Sequence, residues 1–343
     1  MTSEILARLL DGRHLKQDEA TDLMDAIMSG KVSPVSMAAI LMALRTKGET
    51  VDEITGFARS MRRHVVPVVP RRGDLVDTCG TGGDASGTFN ISTGAAIVAA
   101  AMGIAVAKHG NRAVSSRSGS ADVLEALGVN VDLDPWQAAD LIDTMGLGFL
   151  YAPKLHPAMK HAGPVRRELR VRTVFNLLGP LTNPAGADRQ LLGVYLPELC
   201  EPVCRVLKEL GSQRAFVVHG AGGLDEVSPC GPTTVAALQD GRVHTFTFTP
   251  EEAGIQPVGV DELQGGTPRD NARLLEKVFQ GKEDPRTDAV VLNAGFAAVL
   301  AGKAADFGEG VVLARQAVSS GAAMAKLDEL REASRRILEE KTS

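Results

Sequence analysis

From residue 75 onward, short β-rich runs alternate with helical stretches, and this alternation constrains the fold more than any other feature. The runs are LVDTC (75–79), IAVAKHG (104–110), GVNVDL (128–133), FLYAP (149–153), LLGVYL (191–196), AFVVHG (215–220) and DAVVLNAG (288–295). Strands separated by helices need crossover connections, so they build a mostly parallel sheet with helices on its faces. TVAALQDGRVHTFTF (234–248) is the exception, a hairpin turning at Asp240-Gly241.

Residues 1–66 carry helical patterns alone. Thr50-x-x-Glu53 is a capping box before a helix running to about Arg63. SPVSMAAILMALRTKG (33–48) opens with Ser33-Pro34 and is apolar on more than one side, which predicts burial between neighbours. Pro67 and Pro70 mark a hinge or linker, and the C-terminus reads as helix to about Glu340. The expected fold class is α/β: a small helical domain followed by a larger α/β domain whose mostly parallel sheet is flanked by helices. At 343 residues there is room for both.

Composition narrows the function. A net charge of -5 gives no footprint for nucleic acid. No apolar run approaches the roughly 20 residues that cross a bilayer, and the acidic, amphipathic N-terminus is unlike a signal peptide. Cys79, Cys200, Cys204 and Cys230 form no C-x-x-C pair, which argues against zinc or a disulfide framework. Cys200 and Cys204, four apart on a helix, read as core thiols. The expected compartment is a reducing cytoplasm.

After the first run comes GTGGDASGTFNISTG (80–94), with Gly80, Gly82, Gly83 and Gly87 followed by small hydroxyls. Gly80-x-Gly82-x-x-Ala85 formally satisfies a dinucleotide fingerprint. However, the next strand ends in Lys108, His109 and Arg112 where an acid should hold a ribose. A strand, a glycine turn and a helix N-terminus suit an anion, although a tight turn needs glycines too. The second loop, KHGNRAVSSRSGSADVLEALG (108–128), sets Lys108, Arg112 and Arg117 among serines before a helix capped at Ser120. Two such loops on neighbouring parallel strands face one crevice and read as a polyphosphate cradle. A third, HGAGGLDEVSP (219–229), presents Asp225-Glu226, which suit Mg2+ shared with substrate phosphates.

These stretches, together with HPAMKHAGPVRREL (156–169) and RTVFNLLGPLTNPA (172–185), resemble the anthranilate phosphoribosyltransferase family over nearly the whole chain. The resemblance implies a homodimer whose helical and α/β domains form a cleft. It also implies transfer of the phosphoribosyl group of phosphoribosyl pyrophosphate (PRPP) to the amine of anthranilate, the second step of tryptophan biosynthesis. Carried over by motif, PRPP contacts fall on Gly80, Gly83, Asp84, Thr88, Asn90, Ile91, Ser92 and Thr93. They continue through Lys108, His109, Gly110, Asn111, Arg112, Ala113, Val114, Ser115 and Ser116, and on to Ser120. Ser92, Asp225 and Glu226 would hold magnesium, and Gly80, Asn111, His156, Arg166 and Pro180 would meet anthranilate.

Lys108, His109 and Arg166 are the residues expected to act on the reaction. Lys108 would stabilise the departing pyrophosphate, and Arg166 would grip the anthranilate carboxylate. Without the resemblance, Arg166 reads as a helix-surface charge. His109 is either a proton acceptor or a hydrogen-bonding wall. The resemblance also places residues 166–188 on the helical domain (1–72), leaving 73–165 and 189–343 as the α/β domain. The sequence departs from the family's pattern at Ala221-Gly222 and at Arg170, where a glycine usually follows REL. A pyrimidine nucleoside phosphorylase is the nearest rival, but it has no use for two carboxylates on magnesium.

Overall fold

The computed structural model describes residues 2–82, 86–113 and 117–342. Four helices come first: α1 (Thr2–Leu10), α2 (Gln17–Met28), α3 (Pro34–Lys47) and α4 (Val51–Arg63). The capping box forms as expected: Thr50 Oγ1 accepts from Glu53 N, and Glu53 Oε2 accepts from Thr50 N at 2.9 Å. Buried Glu53 also takes the Leu15 amide and the Lys47 ammonium, so a charge inside the bundle is matched by donors rather than left bare. Ser33 caps α3 with Pro34 in its first turn.

The second region begins with β1 (Val76–Gly80), α5 (Ile91–Ala101), β2 (Val106–Gly110), α6 (Ser120–Ala126), α7 (Pro135–Met145) and β3 (Leu147–Tyr151). Then come α8 (Ala152–Leu155), α9 (Gly163–Leu169), α10 (Phe175–Leu178), β4 (Arg189–Gly193), α11 (Cys200–Glu209) and β5 (Arg214–Gly220). The hairpin β6 (Thr233–Gln239) and β7 (Arg242–Phe248) turns at Asp240-Gly241 as read. The chain closes with α12 (Pro268–Phe279), α13 (Pro285–Leu300), α14 (Phe307–Ser319) and α15 (Ala322–Thr342). The seven strands form one sheet in the order β3-β2-β1-β4-β5-β6-β7, parallel through β5 and antiparallel beyond it. Cys200 and Cys204 are buried thiols on α11, as expected.

Two of the expected strands are absent. GVNVDL (128–133) joins no ladder. Its Val129, Val131 and Leu133 are buried, and the Asn130 amide goes to Ser334 Oγ of α15, so strand-like alternation arises against a helix. DAVVLNAG (288–295) lies inside α13, whose residues from Ala289 to Ala298 are all buried. A short apolar run reads alike in a central strand and in a helix buried all round. The Asp284 cap and Pro285 in the first turn decide for helix.

Strand alternation splits the interior into two cores. Val76, Val106, Leu191, Phe216 and Val235 pack with α5 to α7 and α12 to α15. Leu192, Val217 and Ala236 face the other way, into a core shared by α1–α4, α9, α10 and α11. The helical bundle is thereby continuous with one face of the sheet. Among the described residues, no helix is long and apolar enough to cross a membrane.

Candidate active site

β1 leads through β2 to β3 on one side of the sheet, while β4 leads to β5 on the other. The order reverses between β1 and β4, where α/β sheets open a crevice at the carboxyl ends of their strands. Gly80 and Gly193 face each other in register at those ends. Into this point comes Asp225, whose Oδ2 accepts from Gly82 N at 2.7 Å. A Cβ on Gly80 would overlap the Asp225 carboxylate, and one on Gly193 would overlap the Asp225 carbonyl. The absence of a side chain at Gly80 therefore admits the acid loop.

Asn293 of α13 fixes that acid loop. Its Oδ1 accepts from Val227 N at 3.0 Å and its Nδ2 donates to Val227 O at 2.9 Å. Ser92, Asp225 and Glu226 consequently line one small recess together with Thr78 and Asn293. Two carboxylates and a hydroxyl are hard oxygen donors, which fits Mg2+ completed by water and substrate phosphates.

Gly83 and Asp84 in the first loop, and Val114, Ser115 and Ser116 in the second, lie outside the described residues. The remaining expected residues divide. Thr88 and Asn90 border the glycine loop, and the Asn90 side chain makes no cap on α5, leaving that first turn to other partners. Ile91 is core, and buried Thr93 lines an interior recess beside Lys108.

Lys108 departs from the phosphate-facing placement its motif implied. Strand alternation turns it toward α5, where it is 3% exposed and its Nζ donates to Thr78 O at 2.5 Å. Burial pulls its pKa below the ordinary lysine range, against the opposing pull of Asp77, Cys79 and Glu226.

Arg112 is not a free phosphate ligand either. It makes paired bonds to Glu125 at 2.6 and 2.7 Å, with a further ion pair to Asp122. Gly119, not Ser120, occupies the N-cap of α6, and Asp122 Oδ2 binds the amides of Gly119 and Ala113. Ser120 Oγ instead closes the loop on both backbone groups of Asn111, so Gly110, Asn111 and Ala113 sit in a tight turn.

The residues expected around anthranilate include two buried histidines. His109 and His156 meet Nε2 to Nε2 at 3.1 Å, so one ring donates and the other accepts. Burial, then the neighbouring His156 and Lys108, push the His109 pKa down to about 3; burial takes His156 to about 4. Arg166 lies 5.3 Å over the Phe175 ring, and burial lowers its pKa.

Beneath this wall lies a network that the sequence reading missed. Asp77 Oδ1 takes the His109 amide, and Asp77 Oδ2 accepts from Asn183 Nδ2 at 2.8 Å. Asn183 Nδ2 also reaches Ala107 O, and Gln190 Nε2 donates to Pro180 O at 2.7 Å. A lone acid inside an apolar strand was the available signal, because buried acids need partners.

Two family models match the chain: "Glycosyl transferase family, helical bundle domain" over residues 3–65 and "Glycosyl transferase family, a/b domain" over residues 72–324. Anthranilate phosphoribosyltransferase of Moorella thermoacetica is 54% identical over 322 residues, covering 94% of this chain and 95% of that protein. The enzyme of that name from Desulfatibacillum aliphaticivorans is 51% identical, covering 96% and 98%. Among solved structures, anthranilate phosphoribosyltransferase of Thermus thermophilus superposes with a TM-score of 0.92 at 47% identity, covering 96% and 99%. The Saccharomyces cerevisiae enzyme in complex with PRPP and Mg gives 0.89 at 29% identity, covering 98% of each chain. With its glycine loop and acid pair meeting where β1 and β4 part, and with relatives this similar from end to end, the chain belongs to the anthranilate phosphoribosyltransferases of the glycosyl transferase family.

Proposed function

We propose that the crevice between β1 and β4 transfers the phosphoribosyl group of PRPP to the amine of anthranilate. The amine nitrogen bonds to C1 of the ribose, the C1–oxygen bond to pyrophosphate breaks, and the amine loses a proton. The product is N-(5-phosphoribosyl)anthranilate. The observation that carries this reading is the Asp225–Gly82 bond, which holds an acid pair against a phosphate-type loop.

In this reading the backbone around Gly80 and Gly82, together with the first turn of α5, receives the pyrophosphate. Ser92, Asp225 and Glu226 hold Mg2+ alongside it. Bound there, the metal would offset the charge building on the leaving group. Lys108 contributes its charge from behind the end of β1 rather than by contact. Arg166, backed by Phe175, grips the anthranilate carboxylate and so aims the ortho amine, while His109, His156 and Pro180 form the wall beside the acceptor. An aryl amine is an adequate nucleophile without a strong base, and a neutral histidine pair suits that requirement. Positioning and electrostatics then supply most of the rate.

The domains follow the same reading: 1–72 helical with 166–188 packed on it, and 73–165 with 189–343 as the PRPP-binding unit. Arg62 Nε bonding Leu181 O supports that grouping. The protein would act as a cytoplasmic homodimer on two small substrates, without nucleic acid or membrane.

The direct test is loss of anthranilate fluorescence with purified protein, PRPP and Mg2+, each omitted in turn. Loss that requires all three components is the expected result. Asp225→Asn with Glu226→Gln should move the magnesium requirement to higher concentration, and an unchanged magnesium titration would remove the pair from the metal site.

A further inference from the structure

We infer that residues 263–271, ahead of and within the first turn of α12, are a positioning clamp that sets the second half of the glycine loop and ties it to the second loop through Asn271. This inference rests on the reading of the glycine loop as the PRPP site.

Three hydrogen bonds run along the loop, two of them making an antiparallel bridge. Gln264 Nε2 donates to Ser86 O at 2.9 Å, and Gly265 N donates to Gly87 O at 2.9 Å. Thr88 forms a β-bridge with Gln264, and Phe89 N donates to Leu263 O at 3.1 Å. The loop is thus paired, residue by residue, with a segment 178 positions away at the Ser86–Gln264 contact. Such closeness requires Gly265, where a Cβ would stand 2.8 Å from both the Phe89 backbone and Asn271 Oδ1. The clamp is itself held, since Leu263 is fully buried and Arg286 of α13 donates to Gln264 O.

Asn271 carries the connection onward. It is 1% exposed; its Oδ1 accepts from Gly266 N at 2.7 Å and its Nδ2 donates to Asn90 Oδ1 at 2.9 Å. Asn90 in turn donates from Nδ2 to Ser118 O and accepts from Ser118 Oγ, both at 3.1 Å. One amide therefore orients the residue before α5 and, through it, the second loop. A ligand spanning both loops meets groups whose spacing Asn271 has already set, which lowers the ordering cost of binding.

The experiment measures PRPP binding by calorimetry with Mg2+, and both Michaelis constants, for the full-length protein and its variants. Asn271→Ala should weaken PRPP binding roughly 5- to 10-fold, about what one buried hydrogen bond supplies. Gln264→Ala, a change at an exposed side chain that leaves the fold intact, should weaken it about 2- to 3-fold. The anthranilate constant should move less than about 2-fold in each. In an Asn90→Ala background, Asn271→Ala should add little, because its effect runs through Asn90. Unchanged PRPP binding in the Gln264 and Asn271 variants overturns the inference, as does a fully additive effect in the Asn90→Ala background. Wild-type protein that binds no PRPP overturns the reading of the site instead.

Discussion

In the proposed reading, the donor and acceptor edges of the crevice are made in opposite ways. The donor edge is backbone: Gly80, Gly82 and Gly87 lie in a loop that Asp225 and the 263–271 segment hold in place from outside. The acceptor edge is side chain: His109 and His156 stand over a buried polar network of Asp77, Asn183 and Gln190. A backbone edge suits a polyanion, which any correctly spaced row of amides can hold. An acceptor that is one planar acid needs a fitted wall, and burying the polar groups behind such a wall makes each hydrogen bond costly to lose.

The sharpest way to break this comparison is to remove one bond from each edge. Asn183→Ala strips Asp77 and Ala107 O of a buried donor, so we expect a loss of about 3 kcal/mol in urea denaturation. Gln264→Ala, on the donor edge, should cost less than about 1 kcal/mol in the same assay. Equal losses would end the distinction.

Arg166→Ala should raise the anthranilate KM about 10- to 100-fold, the size of a lost charge-assisted bond, with the PRPP KM nearly unmoved. Equal effects on both substrates would mean that Arg166 serves the fold or the cleft rather than the acceptor.

The histidine pair gives the acceptor edge a pH signature. Both folded pKa values lie below the ordinary 6.5, at about 3 and about 4. As pH falls below about 6.5, the unfolded chain takes up protons that the folded chain refuses. Stability from these groups is therefore complete above that pH and declines toward pH 4, by about 1.4 kcal/mol per pH unit for each proton. His156→Gln should flatten the decline measured by denaturation at stepped pH. An unchanged slope would show that the ring is not held neutral.

The smallest expected effect comes from Arg170, which ends α9 with φ 52°, a left-handed conformation. Replacing it with glycine relieves that strain and should raise stability by about 0.5–1 kcal/mol, read as a higher Tm. No gain would mean that contacts of the arginine offset the strain.

Which parts were legible follows the same division. Asp240-Gly241, Thr50-x-x-Glu53 and the strand–glycine–helix turn after Cys79 are local, and each local pattern admits few backbone shapes. GVNVDL and DAVVLNAG failed because alternation and apolarity report burial, not the partner that provides it. The surroundings of Lys108 and Arg112 were hidden for a related reason. Their charge was visible, but their neutralising partners sat on α6 and on the adjacent strand.

The sequence by itself determined the helical-then-α/β order, the loops that face the crevice, and the family, because these depend on residues close together in the chain. Only the tertiary structure decided that Gly80 makes room for Asp225, that Asn183 supports the histidine wall through Asp77, and that Asn271 reaches back to Asn90. Those pairings join residues 145, 106 and 181 positions apart. At such separations nothing in the local chemistry of one segment names its partner; the packing of the sheet and its helices does.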